Sequence, residues 1–260
     1  MAPGPAPVDE LADALHRAYV GKEPVAPLTE ETELTTAEAY DVQAAVLDRI
    51  RDPERRRLGW KLGLVSEAKQ DQLGIPEPIF CEVIPETDLG AGPIPTDAMI
   101  APRVEAEIGL VLERDLEAPV APGELLGACR CAVPVVEVLE SRYQDWGIPT
   151  AQDVIADLTS AGGVVVGERL RDVRDVDLRQ ESVVIAVNGE VRAAGVGAEV
   201  MGHPARAVAW LAGRLADRGA ALEAGDLVMT GGITAAIDVE PGDVFQIDFA
   251  SLGSISLAAE

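Results

Sequence analysis

The chain has 260 residues, of which 48% are hydrophobic and 25% charged, a composition typical of one large globular domain or two small ones. Its 45 acidic residues against 21 basic ones give a formal net charge of −24, so the protein repels phosphate backbones and anionic lipid surfaces. The charge therefore argues against nucleic-acid binding and against membrane attachment.

The scarce residue types narrow the chemistry further. Two histidines, His16 and His203, are too few for a histidine-rich metal site, so a bound metal would be a hard ion held by oxygen. The three cysteines are too few for a disulfide framework and are expected to be buried thiols. The Pro-rich residues 1–9 have no basic or apolar leader pattern, and no apolar run reaches the roughly 20 residues of a membrane span. We expect a cytoplasmic protein.

Three segments have helical patterns. The first helix is predicted over residues 8–20, where apolar residues recur every four positions. A second begins at a capping box formed by Thr35 and Glu38. A third begins at the His-Pro pair of 203–204 and ends at Gly219.

Most of the remaining chain consists of short runs of β-branched residues broken by Gly and Pro, which predict a sheet-rich body. We therefore expect an α+β fold with a helical N-terminal region, residues 1–57, on a β-rich catalytic domain, residues 58–260. The predicted strands are 58–65, 104–112, 132–139, 163–167, 182–188, 226–230, 243–249 and 254–258.

Two of these strands contain carboxylates in apolar surroundings. Glu105 and Glu107 are two residues apart in an alternating strand, so both side chains project from the same face. Such a pair occurs on solvated edge strands as well as in binding sites. Glu137 is the one charge in the apolar run 132–139, where an isolated carboxylate is costly unless it is paired or binds a metal.

The three glutamates suit an all-oxygen site for Mg²⁺ or Mn²⁺, although their spacing alone leaves a solvated polar face equally open. Lys61 lies between Gly59 and Gly63 in a further apolar strand. It could meet an anionic substrate or act as an acid once it is desolvated. The alternative is a lysine whose stem packs in the core while its ammonium reaches water.

Several sequence motifs follow one another along the chain. They are Gly59-Trp60-Lys61-Leu62-Gly63, Pro102-Arg103-Val104-Glu105-Ala106-Glu107-Ile108, Val136-Glu137-Val138-Leu139-Glu140-Ser141-Arg142, Gly202-His203-Pro204 with Ala209-Trp210-Leu211, and Ala224-Gly225-Asp226 with Thr230-Gly231. In this order the motifs resemble those of the 2-keto-4-pentenoate hydratase and 4-oxalocrotonate decarboxylase family, within the fumarylacetoacetate hydrolase superfamily. The resemblance covers about residues 8 to 258.

The resemblance implies a small helical region on a mixed β-sandwich or rolled β-barrel. It also implies a divalent ion on Glu105, Glu107 and Glu137, with Lys61 as the catalytic residue. The substrate would be a small anionic 2-hydroxy-2,4-dienoate or its 2-oxo tautomer, from the meta-cleavage of aromatic compounds, whose enolate the ion stabilises. Residues expected to bind substrate or to orient the ligands are Arg103, Glu140, Ser141, Arg142, Ser160 and Gly232.

The chain departs from the family pattern at the organic end of the pocket. Ile79, Leu158 and Gly232 stand where many members have Asp, Asn and Ser, and Glu140 replaces a common Asp. The metal residues match while these positions differ, so the substrate and the reaction are left open.

Four functions are therefore compared. A hydratase is the first hypothesis and a vinylogous decarboxylase the second, with a diverged isomerase or C–C hydrolase as a further alternative. A non-catalytic partner subunit would be favoured by loss of one of the three glutamates, and none is lost. We also expect a homo-oligomer, and a complex with a pathway enzyme is a further hypothesis.

Overall fold

A computed structural model describes residues 7–147 and 150–260 and contains helices and two sheets. The α-helices of the described residues are α1 Val8–Gly21, α2 Thr36–Ile50, α3 Glu67–Leu73, α4 Pro122–Leu126, α5 Ala151–Ala156 and α6 Pro204–Asp217. The strands are β1 Gly59–Gly63, β2 Ile79–Val83, β3 Arg103–Leu112, β4 Cys129–Leu139, β5 Ala161–Val166, β6 Ser182–Val187, β7 Glu190–Val196, β8 Leu227–Met229, β9 Ile237–Asp238, β10 Val244–Phe249 and β11 Gly253–Ala258.

The three predicted helices are present as α1, α2 and α6. The predicted capping box begins α2: the Glu38 N–H donates to the Thr35 hydroxyl at 3.2 Å, and the Thr35 N–H donates to the Glu38 carboxylate at 2.9 Å. α1 packs against α2, and α2 packs against α5. None of the helices among the described residues is long and apolar enough to cross a membrane.

The strands form a larger mixed sheet and a smaller antiparallel one. In the larger sheet the order is β2-β1-β8-β3-β4-β5, with β9 paired to β3. Within this sheet, β1 and β8 run parallel and β3 and β4 run antiparallel. The smaller sheet has the order β11-β10-β6-β7. The predicted α+β class is confirmed.

The register of the larger sheet gathers the candidate residues on one face. Glu105 of β3 lies directly opposite Glu137 of β4, and Glu107 lies opposite Val135. Residues that face each other across an antiparallel pair project to the same side. β8 joins this pair to β1, with Lys61 level with Met229. The sheet therefore presents three carboxylates and one ammonium on a common face.

Several elements were not predicted, for identifiable reasons. α3 has no buried residue and so lacks an apolar stripe. β7 is largely exposed and contains mostly small or polar residues. β2 follows two prolines that favour a turn in sequence. β2 is a strand because the backbone of β1 supplies its hydrogen-bond partners. The three cysteines are buried and free, as expected.

Candidate metal centre and active site

A cavity of about 340 Å³ opens on the common face of the larger sheet. Two predicted metal residues, Glu105 and Glu137, line it together with Lys61. The predicted residues Arg103, Ser160 and Gly232 also line it. The apolar part of its wall is formed by Leu62, Leu64, Val65, Leu73, Ile79, Leu139, Trp146 and Val154.

The three predicted metal residues lie together, two of them in the lining of this cavity. Glu105, Glu107 and Glu137 each offer a carboxylate oxygen, and the three oxygens lie within 4.8 Å of one another. All three side chains are buried, and Glu107 has no exposed surface. Its Oε2 accepts from the Gly231 N–H at 2.9 Å, while its Oε1 has no hydrogen-bond partner among the described residues.

These features fit a divalent cation. A buried carboxylate oxygen without a donor is costly unless a cation or a proton completes it. Burial raises the pKa of Glu107 well above its ordinary value, and the neighbouring Glu137 raises it further. Burial also raises the pKa of Glu137, against the opposing charge of Lys61. An oxygen-binding ion such as Mg²⁺ would restore both carboxylates to the ionised form.

Lys61 projects into the same site from β1. Its Nζ lies 2.6 Å from Glu137 Oε1 and donates to the Thr159 carbonyl oxygen at 2.5 Å. The residue is only 2% exposed, so its ammonium does not extend to bulk water. Of the two interpretations of Lys61, the core lysine with a hydrated ammonium is wrong, and the lysine that faces the carboxylate site agrees with the geometry.

The carbonyl that holds Lys61 belongs to an unusual turn. Leu158, Thr159 and Ser160 have φ angles of 54°, 52° and 58°, the left-handed region that costs non-glycine residues about 1–2 kcal/mol each. Side chains fix the turn at both sides. The Thr159 hydroxyl donates to the Phe80 carbonyl at 3.1 Å, and Gln43 Nε2 donates to the Ile155 carbonyl at 2.7 Å. The turn places Thr159 against Lys61 and Ser160 at the cavity wall.

Arg142 supports this turn from behind the cavity. Its guanidinium donates to the Asp157 carbonyl at 2.6 Å and to the Ala161 carbonyl at 2.7 Å, and its Nε pairs with the Asp157 carboxylate. Burial raises the pKa of Asp157 to about 6, although Arg142 opposes the shift. Arg142 thus couples the Glu140–Arg142 segment to the turn that carries Thr159.

Glu140 and Ser141 also lie outside the cavity lining. Glu140 Oε1 accepts from the Ile100 N–H at 2.7 Å and lies 3.4 Å from Lys22 Nζ. The Ser141 hydroxyl accepts from the Tyr143 N–H at 3.2 Å. Glu140, Ser141 and Arg142 lie outside the cavity lining, and their contacts here are with backbone groups and other charged side chains. Their predicted role in binding substrate or orienting the metal ligands stays a prediction.

The other predicted residues do border the cavity. Arg103 Nε lies 2.7 Å from Asp238 Oδ1, and its guanidinium lies 4.2 Å from the centre of the Trp146 ring. A Cβ at Gly232 would come within 2.0 Å of Glu105 Oε2, so the glycine leaves room for that carboxylate. Of the residues that depart from the family pattern, Ile79 forms part of the apolar wall and Leu158 is buried in the turn.

Two contributors were missed in the sequence. Lys69 of α3 lines the cavity, with Nζ 2.8 Å from Glu105 Oε1. The rarity of lysine could have pointed to this residue, because the chain has only three lysines, Lys22, Lys61 and Lys69. The Thr159 carbonyl had no signal, since 98 residues separate Thr159 from Lys61 and a turn in the left-handed region is not readable from Leu-Thr-Ser.

The mixed sheet with its carboxylate site defines a class of protein. Residues 73–257 match the family model of the fumarylacetoacetate (FAA) hydrolase C-terminal domain, and the chain belongs to this family. Among curated proteins, it is 37% identical to 4-oxalocrotonate decarboxylase of Pseudomonas sp. (strain CF600), over 95% of this chain and 94% of that protein. It is 36% identical to 2-keto-4-pentenoate hydratase of Paraburkholderia xenovorans (strain LB400), over 95% and 93% of the two chains.

Solved structures share the fold. The 4-oxalocrotonate decarboxylase from Pseudomonas putida G7, complexed with magnesium and adipate, superposes with a TM-score of 0.93 at 36% identity over 97% of each chain. The fumarylpyruvate hydrolase from Pseudomonas aeruginosa, in complex with Mn²⁺ and pyruvate, has a TM-score of 0.62 at 17% identity, over 79% of this chain and 90% of that one, which supports the fold alone. The predicted family and the fold of the fumarylacetoacetate hydrolase type are confirmed.

Proposed function

We propose that the protein is a divalent-metal-dependent lyase that hydrates a small 2-hydroxy-2,4-dienoate or 2-oxo-enoate acid. The observation that carries the proposal is the cluster of three buried glutamates beside the buried ammonium of Lys61, at a cavity that Glu105, Glu137 and Lys61 line. The names of relatives that align over nearly the whole chain, hydratases and decarboxylases of such acids, support it.

Glu105, Glu107 and Glu137 would hold the ion, with Mg²⁺ or Mn²⁺ as the proposed metal. Its positive charge would stabilise the enolate form of a 2-oxo acid, the species through which proton transfers pass. The carboxylate ligands are fixed by the backbone: β3 and β4 pair throughout the site, and the Gly231 N–H holds Glu107. Fixed ligands of this kind maintain a constant geometry during the reaction.

Lys61 would carry the proton that the reaction moves. Its ammonium is held between Glu137 and the Thr159 carbonyl, at the wall of the cavity and away from bulk water. A desolvated ammonium beside the substrate can donate a proton to carbon or oxygen and then regain it. The apolar side chains of Leu73, Ile79 and Val154 would contact the hydrocarbon part of the substrate. In hydration, the enol is protonated at its far carbon and water then adds to the conjugated alkene.

Vinylogous decarboxylation is the second candidate, and one feature of the cavity favours it. The apolar wall that contains Ile79 offers no carboxylate to activate water, since the acidic residues that line the described cavity are Glu105 and Glu137. Loss of CO₂ requires no water, and an apolar wall lowers the solvation of the departing carboxylate. The conjugated 2-oxo group of the substrate would accept the electron pair of the broken C–C bond, and this step would give the same kind of enolate.

Product analysis separates the two reactions. Purified protein with Mg²⁺ or Mn²⁺ is incubated with 2-hydroxypenta-2,4-dienoate or with 2-oxohex-3-enedioate, and ultraviolet absorbance and CO₂ are followed. We expect the first compound to lose its absorbance without release of CO₂. Metal-dependent release of CO₂ from the second would identify a decarboxylase instead. Turnover of neither compound would overturn the proposed function and favour a diverged isomerase, a C–C hydrolase or a non-catalytic subunit.

The proposal extends to the setting of the enzyme. A place in the degradation of aromatic compounds is supported by the names of the hydratase and decarboxylase relatives. Self-association into a homo-oligomer is part of the same proposal, supported by the exposed valines Val184, Val191 and Val244 on the smaller sheet. A complex with another enzyme of the same pathway stays a prediction.

A further inference from the structure

The candidate centre needs one more positive charge to attract an anionic substrate. Three ionised glutamates exceed the charge of a divalent ion by one, and Lys61 balances that excess through its contact with Glu137. The metal and Lys61 therefore leave the centre neutral. Arg103 is already paired with Asp238 at 2.7 Å. In a protein with a net charge of −24, a neutral centre gives a carboxylate little attraction.

Lys69 is placed to supply that charge. Its Nζ lies 2.8 Å from Glu105 Oε1, inside the lining of the same cavity, and its side chain is 37% exposed. Glu105 is also one of the three residues that would hold the metal. A divalent ion on Glu105 weakens the hold of that carboxylate on Lys69, because both cations compete for the same negative charge. The ammonium is then available to another carboxylate at the cavity.

The packing of α3 allows Lys69 to change partner. None of the residues in this helix is buried. α3 contributes Lys69 and Leu73 to the lining of the 340 Å³ cavity, and Glu67 and Gln70 to the lining of a second cavity of about 530 Å³. Because the helix makes few buried contacts, small shifts of α3 cost little free energy. The Lys69 side chain also has four rotatable carbon links of its own.

We propose that Lys69 is a substrate-binding residue that exchanges Glu105 for the carboxylate of the substrate when the metal is bound. The inference rests on the proposed function, in that the ligand is a 2-oxo acid. It predicts opposite effects on two affinities. Loss of the ammonium removes a partner of the substrate, and it also removes a competitor of the metal for Glu105.

The test compares Lys69→Met and Lys69→Arg with the wild type. Calorimetry measures the binding of Mg²⁺ to metal-free protein and the binding of pyruvate, as the smallest 2-oxo acid, to Mg²⁺-loaded protein. For Lys69→Met we expect pyruvate to bind about tenfold more weakly and Mg²⁺ to bind severalfold more tightly, as for loss of one close charge pair. Lys69→Arg should recover most of the pyruvate affinity. Arg192→Met, on exposed β7, is the control with the same change in net charge.

Kinetics provide the second readout. With an active substrate, Lys69→Met should raise KM about tenfold and leave kcat within a few-fold, the pattern of lost substrate binding. The proposal would be overturned if Lys69→Met bound pyruvate as tightly as the wild type. It would also be overturned if Lys69→Met bound both pyruvate and Mg²⁺ more weakly. Failure of both test compounds, 2-hydroxypenta-2,4-dienoate and 2-oxohex-3-enedioate, with wild-type protein would refute the proposed reaction. The Mg²⁺ and pyruvate measurements would still test Lys69.

Discussion

Glu107→Gln is expected to lower the affinity for Mg²⁺ by at least about 10²-fold and to abolish measurable turnover. Glu107 has no exposed surface, and its Oε1 lacks a hydrogen-bond partner among the described residues. An amide preserves the shape of the carboxylate but supplies neither its charge nor two equivalent acceptor oxygens. The substitution should therefore weaken metal binding and leave the packing of the core unchanged.

The stability of the metal-free variant distinguishes this cause from misfolding. Burial raises the pKa of Glu107 above its ordinary value. When folding raises the pKa of a carboxyl group, the free energy of unfolding of the protein falls as pH rises above the pKa of that group in the unfolded chain. The reason is that ionising the group costs more in the folded state. Near pH 7, Glu107→Gln removes this cost, so the metal-free variant should have a Tm equal to or above that of the wild type.

Calorimetric titration with Mg²⁺ and thermal unfolding of metal-free protein measure both effects. Glu190→Gln on exposed β7 is the matched control for the loss of one carboxylate and should bind Mg²⁺ like the wild type. Wild-type Mg²⁺ affinity in Glu107→Gln would remove Glu107 from the metal site. A large fall in Tm would instead indicate that the glutamate serves the fold.

Lys61→Met is expected to lower kcat/KM by about 10²-fold or more, as for loss of a general acid or a charge stabiliser. The Lys61 ammonium is fixed by Glu137 at 2.6 Å and by the Thr159 carbonyl at 2.5 Å. Methionine fills a similar volume but carries no proton. Mg²⁺ binding should be retained, since removal of a cation beside Glu137 does not weaken the attraction of the glutamates for a metal.

Steady-state kinetics and Mg²⁺ titration on the same preparation check this prediction. Lys22→Met is the matched control, because Lys22 also pairs with a buried carboxylate, that of Glu140, but outside the cavity lining. It should affect stability more than kcat/KM. Near-normal turnover of Lys61→Met would exclude Lys61 as the proton carrier, and Lys69 would be the next position to examine.

Local patterns in the sequence predicted the parts of the site that depend on one strand. The alternation of β3 placed Glu105 and Glu107 on one face, and the apolar run of β4 singled out Glu137. The register that sets Glu105 opposite Glu137 is a property of two strands, so neither strand alone contains it. The motif resemblance supplied what periodicity could not, namely that the three carboxylates belong together.

The parts that escaped prediction are long-range or conformational. Lys69 reaches Glu105 from a polar helix with no apolar stripe. Arg142 was among the predicted residues, but its contacts with the Asp157 and Ala161 carbonyls were not predicted, because every residue has a backbone carbonyl and such contacts leave no trace in sequence. Such contacts depend on the folded positions of distant segments, and the sequence pattern of each segment is compatible with other partners.

Anomalous X-ray diffraction from crystals of the wild-type protein grown with Mn²⁺ tests the central claim most directly. Scattering by Mn²⁺ locates the ion independently of activity. We predict one strong anomalous peak between the carboxylates of Glu105, Glu107 and Glu137, where the oxygens lie within 4.8 Å of one another. A peak elsewhere, or none at saturating Mn²⁺, would contradict the metal centre and the function built on it.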